Sequence, residues 1–469
     1  MKDYFKLSEH GTTVRTEFMA GLTTFFAMVY ILMVNAGMFA DPFNDGTNVL
    51  GVSYGAIYIA TAISAVVGTI LIGVLANLPL AQASGMGLNA FFVYTVVVGF
   101  GFTYANALVL VLIDGVVFII LTLTGLRKMI FEAIPDAVRK AIPAGIGLFI
   151  AFLGLQKSKI VIPSDSTGVT LGSFNLLAHG WGEIMPMVVT VAAIIAIAVM
   201  AKKNVKGAVL WGILGSSVLY YLLGFTVPGF YENLNITLAN PIEEFRAFGS
   251  EAFGKVFTEG FDFSAYIAQH GTANLALIIA TTALAFCMVD MFDTIGTLYG
   301  ACARGNMLTE KGEVPNMNRA MLADAIATTT GAICGTSTVT TFVESSSGVA
   351  EGGRTGLSSM FTALFFLIAM FLSPIAKLIP DCATSAVLVY VGVLMLLCVK
   401  DIDWSKIDIA VPAFLTIAFM PFSYNISYGI AFGLISYVGI KVFGGEAKKV
   451  NPATWVIMLL FLVMLFMTH

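Results

Sequence analysis

Apolar residues occur along this chain in long runs separated by short polar stretches. A helix crosses a bilayer with about 17–25 apolar residues, and nine uninterrupted runs fit that length. They lie near residues 17–39, 53–76, 104–125, 183–201, 206–225, 272–299, 357–378, 384–400 and 425–443. Five more are shorter or broken by glycine, proline or polar residues, near 80–98, 141–157, 319–335, 338–351 and 408–421. We therefore predict an all-α polytopic membrane protein with about 14 transmembrane segments.

Composition supports a lipid environment. Charged residues make up 11% of the 469 residues, whereas soluble proteins carry about 25% charged residues. Hydrophobic residues make up 58%, and the mean hydropathy is +0.91. A net charge of −4 without a basic face excludes a nucleic-acid-binding protein. The five cysteines form no C-x-x-C pair, and the four histidines fall at chain ends or in predicted loops. We therefore expect no metal site and no cofactor, and only carboxylates remain for proton chemistry inside the membrane.

Basic residues indicate which loops face the cytoplasm. If the 14 segments alternate in direction, four basic clusters share one side, in agreement with the positive-inside rule. These clusters are Arg127/Lys128/Arg139/Lys140, Lys202/Lys203/Lys206, Arg304/Lys311/Arg319 and Lys441/Lys448/Lys449. We expect a cytoplasmic amino terminus, a first span that acts as an uncleaved signal in the cell (inner) membrane, and an acidic extracellular loop at 226–271. The final apolar run, 453–467, is short, and whether it spans stays open.

Short sequence matches predict an internal duplication. Ile134-Pro-Asp136 recurs as Ile379-Pro-Asp381, and Met33-Val-Asn35 resembles Met288-Val-Asp290. The distance along the chain from Asn35 to Asp290 is the same as the distance from Asn89 to Glu344. An odd number of spans in each half makes the two copies inverted, and paired short, broken segments are typical of transporter substrate sites.

The duplication predicts four regions along the chain. They are a first seven-span repeat at 1–225, the loop at 226–271, a second seven-span repeat at 272–443 and a carboxyl-terminal apolar segment at 444–469. The broken third and tenth segments, one in each repeat, are expected to contain short extended stretches.

Five carboxylates fall inside predicted spans, where insertion of an ionised group costs about 2.5–3.5 kcal/mol. They are Asp114, Asp290, Asp293, Asp324 and Glu344. Asp290 and Asp293 are three residues apart and so share a helix face, which favours a joint substrate or proton role. For Asp114 we favour a structural contact with a neighbouring helix or with the backbone of a broken segment. For Asp324, a structural hydrogen-bonding role and direct substrate contact stay equally open.

The tenth segment carries the strongest binding signal. Residues 335–348 around Glu344 are rich in β-branched and hydroxyl residues, which favours extended backbone followed by a short helix. A carboxylate beside such a helix start can accept two N–H groups of a flat heterocycle. In the third segment, Gly85 permits close backbone approach, and Asn89 can donate and accept hydrogen bonds. For Phe91, Phe92 and Phe342, ordinary packing competes with a stacking role.

Four stretches resemble one family over nearly the whole chain. These stretches are Thr16–Tyr30, Gly85–Phe92, Phe292–Leu298 and Gly335–Gly356. They look like the adenine/guanine/hypoxanthine permease branch of the nucleobase/ascorbate transporter superfamily. Thr294 stands where the uracil-transporting relatives look to have a histidine, so their proton scheme cannot be copied.

The resemblance implies proton-coupled purine uptake by two inverted halves. It implies a core domain of spans 1–4 and 8–11 and a gate domain of spans 5–7 and 12–14, and it leaves open a homodimer through the gate domains. It also implies that the positions of Asn89, Asp290 and Glu344 bind substrate, with Asp293 important nearby.

We therefore predict alternating-access uptake of a purine base held between the third segment, the tenth segment and the eighth helix. The predicted substrate-binding residues are Glu344, Asp290, Asn89, Phe342, Gly85 and Thr341, and the predicted proton-coupling residues are Asp290, Asp293 and Asp324. The alternatives are an anion transporter of the same architecture and, less favoured, an ion channel. A membrane enzyme is disfavoured because no nucleophile–base pair reaches the interior.

Overall fold

The computed structural model describes residues 2–125, 133–233 and 240–468. Ten α-helices lie in the described residues before residue 240. They are α1 (Lys2–Phe5), α2 (Val14–Met28), α3 (Tyr30–Ala40), α4 (Tyr54–Leu71), α5 (Met86–Ala90), α6 (Tyr104–Thr124), α7 (Asp136–Lys157), α8 (Trp181–Lys202), α9 (Ala208–Gly224) and α10 (Phe230–Asn233). Arg127 and Lys128, which the sequence places in a basic loop, lie outside the described residues.

The second half contributes a further set of helices. They are α11 (Pro241–Ala247), α12 (Lys255–Thr258), α13 (Ser264–Arg304), α14 (Met317–Cys334), α15 (Ser346–Ala350), α16 (Gly356–Ala369), α17 (Ser373–Ala376), α18 (Asp381–Met395), α19 (Ile407–Phe422), α20 (Ile426–Phe443) and α21 (Pro452–Thr468). Part of the predicted loop at 226–271 is thus helical. Helix α13 is interrupted at Gly271, whose φ of 81° and ψ of 163° are not helical.

Within the described ranges, nine helices are long and apolar enough to cross a membrane. Four shorter apolar helices accompany them: Met86–Gly99, in which the π-helix Phe91–Gly99 continues α5, Ala208–Gly224, Ile407–Phe422 and Pro452–Phe466. The predicted polytopic helical fold is therefore confirmed at this coarser level, while the exact 14-span inverted repeat stays a prediction. The last run is a helix, which leaves its membrane topology open.

Side chains at the helix starts explain several of the boundaries. The Thr13 hydroxyl accepts the Thr16 backbone N–H at the start of α2. At α6, Thr103 and Asn106 form a reciprocal capping box, in which each side chain accepts the other residue's backbone N–H. These bonds satisfy donors that the first helical turn leaves without a partner.

Two short strands lie buried in the middle of the molecule. Strands β1 (Gln82–Ser84) and β4 (Val339–Thr341) pair antiparallel, with Ala83 opposite Thr340. The ladder continues on both sides, because Gly85 N–H donates to Thr338 O at 2.9 Å and Phe342 N–H donates to Ala81 O at 3.1 Å. The extended stretches predicted in the third and tenth segments are therefore confirmed. A second two-stranded sheet, the hairpin of β2 (Val161–Ser164) with β3 (Gly168–Leu171), lies near the surface.

Glycines allow two helices beside the strands to pack backbone against backbone. A Cβ at Gly147 of α7 would lie 2.7 Å from Gly392 O of α18 and 2.6 Å from Met395 Cβ. A Cβ at Gly154, two turns further along α7, would lie 2.8 Å from Ser385 O. Small residues that permit such approach are typical of membrane helix interfaces, so α7 and α18 form one closely packed pair.

Candidate functional site

A small cavity opens where the two broken segments meet α13 and α18. Its volume is about 50 Å³. It is lined by Tyr30, Gly85, Met86, Gly87, Asp293, Thr297, Thr341, Phe342, Val343, Glu344, Val391 and Met395. We call it the carboxylate cavity, because Glu344 and Asp293 are its acidic residues. Four predicted substrate residues, Gly85, Thr341, Phe342 and Glu344, therefore lie together.

Glu344 is held by a tyrosine that the sequence did not single out. The hydroxyl of Tyr30, at the start of α3, donates to Glu344 Oε1 at 2.6 Å. A carboxylate has room for about four hydrogen bonds, so Tyr30 orients Glu344 and leaves acceptor capacity for a ligand.

The third segment contributes Gly85, Met86 and Gly87 to the cavity lining. A Cβ at Gly85 would lie 2.7 Å from Thr340 Cγ2, and a Cβ at Gly87 would collide with Ile146 Cγ2 of α7. Both glycines are therefore required by space. Phe342 is buried at the cavity edge, whereas Phe91 and Phe92 are fully buried, and Phe92 stacks on Phe39. Ordinary packing explains these two rings.

Asn89 lies behind the cavity wall rather than on it. Its side-chain amide donates to Ser84 O at 3.4 Å, and its carbonyl oxygen accepts the Ser337 hydroxyl. Asn89 is completely buried and absent from the cavity lining. Its contacts tie the end of β1 to the segment that leads into β4.

Asp290 and Asp293 point to different places although they are three residues apart. Asp293 and Thr297, one turn apart, line the cavity. Asp290 is fully buried and accepts a hydrogen bond from Thr328 of α14 at 3.3 Å. Three residues rotate a helix by about 300°, so the two side chains differ in direction by about 60°, and only Asp293 reaches the cavity.

Asp324 is completely buried and does not line the cavity. Gln82 Nε2 and Thr294 Oγ1 each donate to it at 2.9 Å, and Thr341 Oγ1 donates at 3.3 Å. Thr341 therefore connects Asp324 with the cavity wall. Asp114 is also fully buried, and Thr338 donates to it at 3.4 Å.

Another buried acid was not among the five carboxylates singled out from the sequence. Glu17 is completely buried, and its carboxylate accepts the backbone N–H groups of Arg354 at 2.9 Å and Ser358 at 3.1 Å. It thus caps the start of α16, where the helix dipole favours a negative charge. Hydropathy cannot reveal this cap, because the partners are more than 330 residues apart in sequence.

A buried lysine connects three helices at the end of α3. Lys157 Nζ lies 3.1 Å from Asp381 Oδ1 of α18 and donates to the carbonyls of Gly37 and Asp41 at 3.3 Å each. Cations are favourable beside helix carboxyl termini. This bridge joins the end of α3 to α7 and α18.

In the part of the chain that the structure describes, no group of three His, Cys, Asp or Glu side chains is arranged to hold a metal ion. The site is therefore described by its carboxylates, hydroxyls and backbone alone. A multi-pass helical membrane protein with a carboxylate cavity at the crossing of two broken segments belongs to the class of membrane transporters.

The comparisons with known proteins identify the family. The family model described as "Xan_ur_permease: Permease family" matches residues 15–432, and the chain belongs to this family. The guanine/hypoxanthine permease PbuO of Bacillus subtilis is 38% identical over 98% of this chain and 99% of its own length. The adenine permease AdeP of Escherichia coli is 35% identical over 98% of this chain and 94% of its own. The family resemblance read from the sequence motifs is confirmed.

Solved structures agree on the fold. The transmembrane domain of the cyanobacterial bicarbonate transporter BicA matches with a TM-score of 0.56, 17% identity and coverage of 97% of this chain and 96% of that one. The anion transporter Slc26a9 of mouse, in its inward-facing state, matches with a TM-score of 0.58, 12% identity and coverage of 92% and 68%. At these identities the likeness concerns the fold alone.

Proposed function

We propose that this protein carries purine nucleobases across the cell membrane by alternating access, coupled to protons. The observation that carries the proposal is the carboxylate cavity, in which Glu344 is oriented by Tyr30 at the junction of the two broken segments. The names of PbuO and AdeP support purine substrates, since these relatives align over nearly their whole length. Adenine, guanine and hypoxanthine share a flat ring with N–H donors, which suits a carboxylate acceptor.

In this proposal the base contacts the residues that line the cavity. Glu344 accepts ring N–H groups, Phe342 offers a flat apolar face, and the backbone at Gly85 approaches the ring closely. Asp293 stands across the cavity and binds either the proton or a further N–H group. Asn89 and Asp290, predicted from the sequence to touch substrate, act from behind the wall instead: Asn89 fixes β1 to the segment before β4, and Asp290 belongs to the proton path.

A cavity of about 50 Å³ is smaller than the space that a purine ring needs, so binding requires movement. Val391 and Met395 of α18 form one side of the cavity. The Lys157 bridge holds α18 and α7 against the end of α3. We propose that the predicted gate domain, which contains α7 and α18, moves relative to the predicted core domain to admit the base.

The finer topology belongs to the same proposal. We place the amino terminus in the cytoplasm, the region 226–271 outside, and two inverted seven-span repeats around the strand crossing. Two hydrogen bonds support the duplication. Asn35 Nδ2 donates to Thr61 of the next helix at 2.7 Å, and Asp290, which the sequence aligns with Asn35, accepts from Thr328 of its own next helix.

Anion transport is the second candidate, because the fold neighbours BicA and Slc26a9 are described as bicarbonate and anion transporters. An anion site needs a cation or several N–H donors. Among the described residues that line the cavity there are two acids and no lysine, arginine or histidine. The acids repel an anion, so the cavity favours a neutral base with N–H groups.

The test is uptake of radiolabelled hypoxanthine by purine-auxotrophic cells that express wild-type or E344Q protein. The variant keeps the size of the side chain and removes the charge, and we expect uptake at least tenfold lower. E310Q, which alters an exposed acid, is the matched control and should transport normally. Normal uptake by well-expressed E344Q protein would show that the site is misplaced, and saturable bicarbonate uptake would favour the second candidate.

A further inference from the structure

Three buried aspartates share a polar layer behind the strand ladder. Asp114 lies on α6, Asp290 on α13 and Asp324 on α14, and all three are fully buried. We call them the aspartate layer. Gly115 brings α6 close to α14 here, since a Cβ at Gly115 would lie 2.8 Å from the backbone nitrogen of Thr329. The three acids are therefore enclosed by packed helices.

The aspartate layer contains no positive partner among the described residues. Its hydrogen-bond donors are the hydroxyls of Thr294, Thr328, Thr338 and Thr341 and the amide of Gln82. The other titratable groups nearby are the thiol of Cys287 and the carboxyl of Asp293. Three like charges cannot all stay ionised in such a medium, so the layer must hold protons.

The donors are shared unequally among the three aspartates. Asp324 receives three hydrogen bonds, spread over both oxygens. Asp114 and Asp290 each receive one long bond, at 3.4 and 3.3 Å, and Oδ1 of each has no hydrogen-bond partner. A buried ion needs donors. This asymmetry favours protons on Asp114 and Asp290 over a proton on Asp324.

We propose that Asp114 carries a transported proton together with Asp290, and that it is not merely a packing residue of α6. A proton from water forms the O–H bond on one of the two carboxylates, and that bond breaks when the proton leaves to water on the other side of the membrane. This inference deepens the proposed proton-coupled function and rests on it.

The connection from Asp114 to the cavity runs through one residue. The Thr338 hydroxyl donates to Asp114, and the Thr338 carbonyl accepts the N–H of Gly85, which lines the cavity. Loss of the proton from Asp114 leaves a buried negative charge with a single donor. That charge is relieved only if α6 or the strand ladder moves, so the protonation state of Asp114 and the shape of the cavity depend on each other.

The experiment uses purified full-length protein in liposomes. Wild-type and D114N proteins are compared in hypoxanthine accumulation driven by an imposed pH gradient and in hypoxanthine exchange without a gradient. Asparagine keeps the shape of the neutral acid but cannot release a proton. We expect gradient-driven accumulation to fall at least tenfold, while exchange falls less than threefold. C287A, which alters a neighbouring titratable group, is the control and should accumulate the base normally.

Two outcomes would overturn the role of Asp114. Full accumulation by D114N would make it a packing residue, and an equal loss of accumulation and exchange would make it a binding or folding residue. If hypoxanthine accumulation by the wild-type protein depended neither on the pH gradient nor on a protonophore, the proton coupling in the proposed function would instead be refuted.

A second measurement does not depend on the folding of D114N. Infrared spectra of wild-type protein should show protonated carboxylic acid bands at neutral pH, and T338V, which removes only the donor to Asp114, should alter one of them. The absence of such bands from wild-type protein would refute protonated acids in the layer.

Discussion

Replacing Tyr30 by phenylalanine removes one hydroxyl group and nothing else from the wall of the carboxylate cavity. The hydroxyl donates to Glu344 Oε1 at 2.6 Å. Hydrogen bonds to charged groups contribute about 1.5–3 kcal/mol, which corresponds to about 10- to 150-fold in an equilibrium constant. Only the part of this free energy that holds Glu344 in its binding position contributes to binding of the base. We therefore expect Y30F to raise the Kd for hypoxanthine about tenfold.

The assay is equilibrium binding of radiolabelled hypoxanthine to purified protein in detergent. Y58F is the matched control, because Tyr58 is also a buried tyrosine whose hydroxyl donates to Ala369 O at 3.0 Å. It should bind the base as wild type does. An unchanged Kd for Y30F would refute the orienting role of Tyr30, and tighter binding would show that its hydroxyl competes with the base for Glu344.

Three further predictions concern contacts within the protein itself. G87A should reduce uptake at least tenfold at normal expression, because its methyl group collides with Ile146, and the double variant G87A/I146A should recover much of that uptake; a lack of recovery would contradict the steric explanation. K157M removes the bridge to Asp381 and should loosen the end of α3, which faster amide hydrogen exchange at residues 37–46 would report. Unchanged exchange would argue against Lys157 holding the end of α3 in place. E17Q should lower the unfolding free energy by about 1–3 kcal/mol, seen as a lower Tm in detergent than for E9Q, which alters an exposed acid, and equal Tm values would contradict the capping role.

The helices and the broken segments were predictable from local sequence. A span requires a run of apolar residues whatever its neighbours are, so the runs near 53–76 and 104–125 correspond closely to α4 and α6. The extended stretch before Glu344 was also predictable, because β-branched and hydroxyl residues do not favour a helix.

The composition of the site was only partly predictable. Glu344 and Asp293 were identified because an ionised carboxylate inside a span is energetically costly and therefore indicates a function or a structural partner. Helix periodicity could not decide which of Asp290 and Asp293 faces the cavity, since that depends on how α13 is rotated against α14. Tyr30 ends one of the family-resembling stretches but was not singled out, because its partner is 314 residues away and a tyrosine in a span is ordinary.

The crossing of β1 and β4 has a consequence for anyone who recombines relatives of this protein. Each half of the chain supplies one strand of the ladder and one wall of the cavity, so neither half contains a complete site. Gln82 contacts Thr341 and Asp324 of the other half, and Gly85 fits against Thr340. Chimeras that join the first half of one permease to the second half of another must therefore exchange these facing residues as matched pairs.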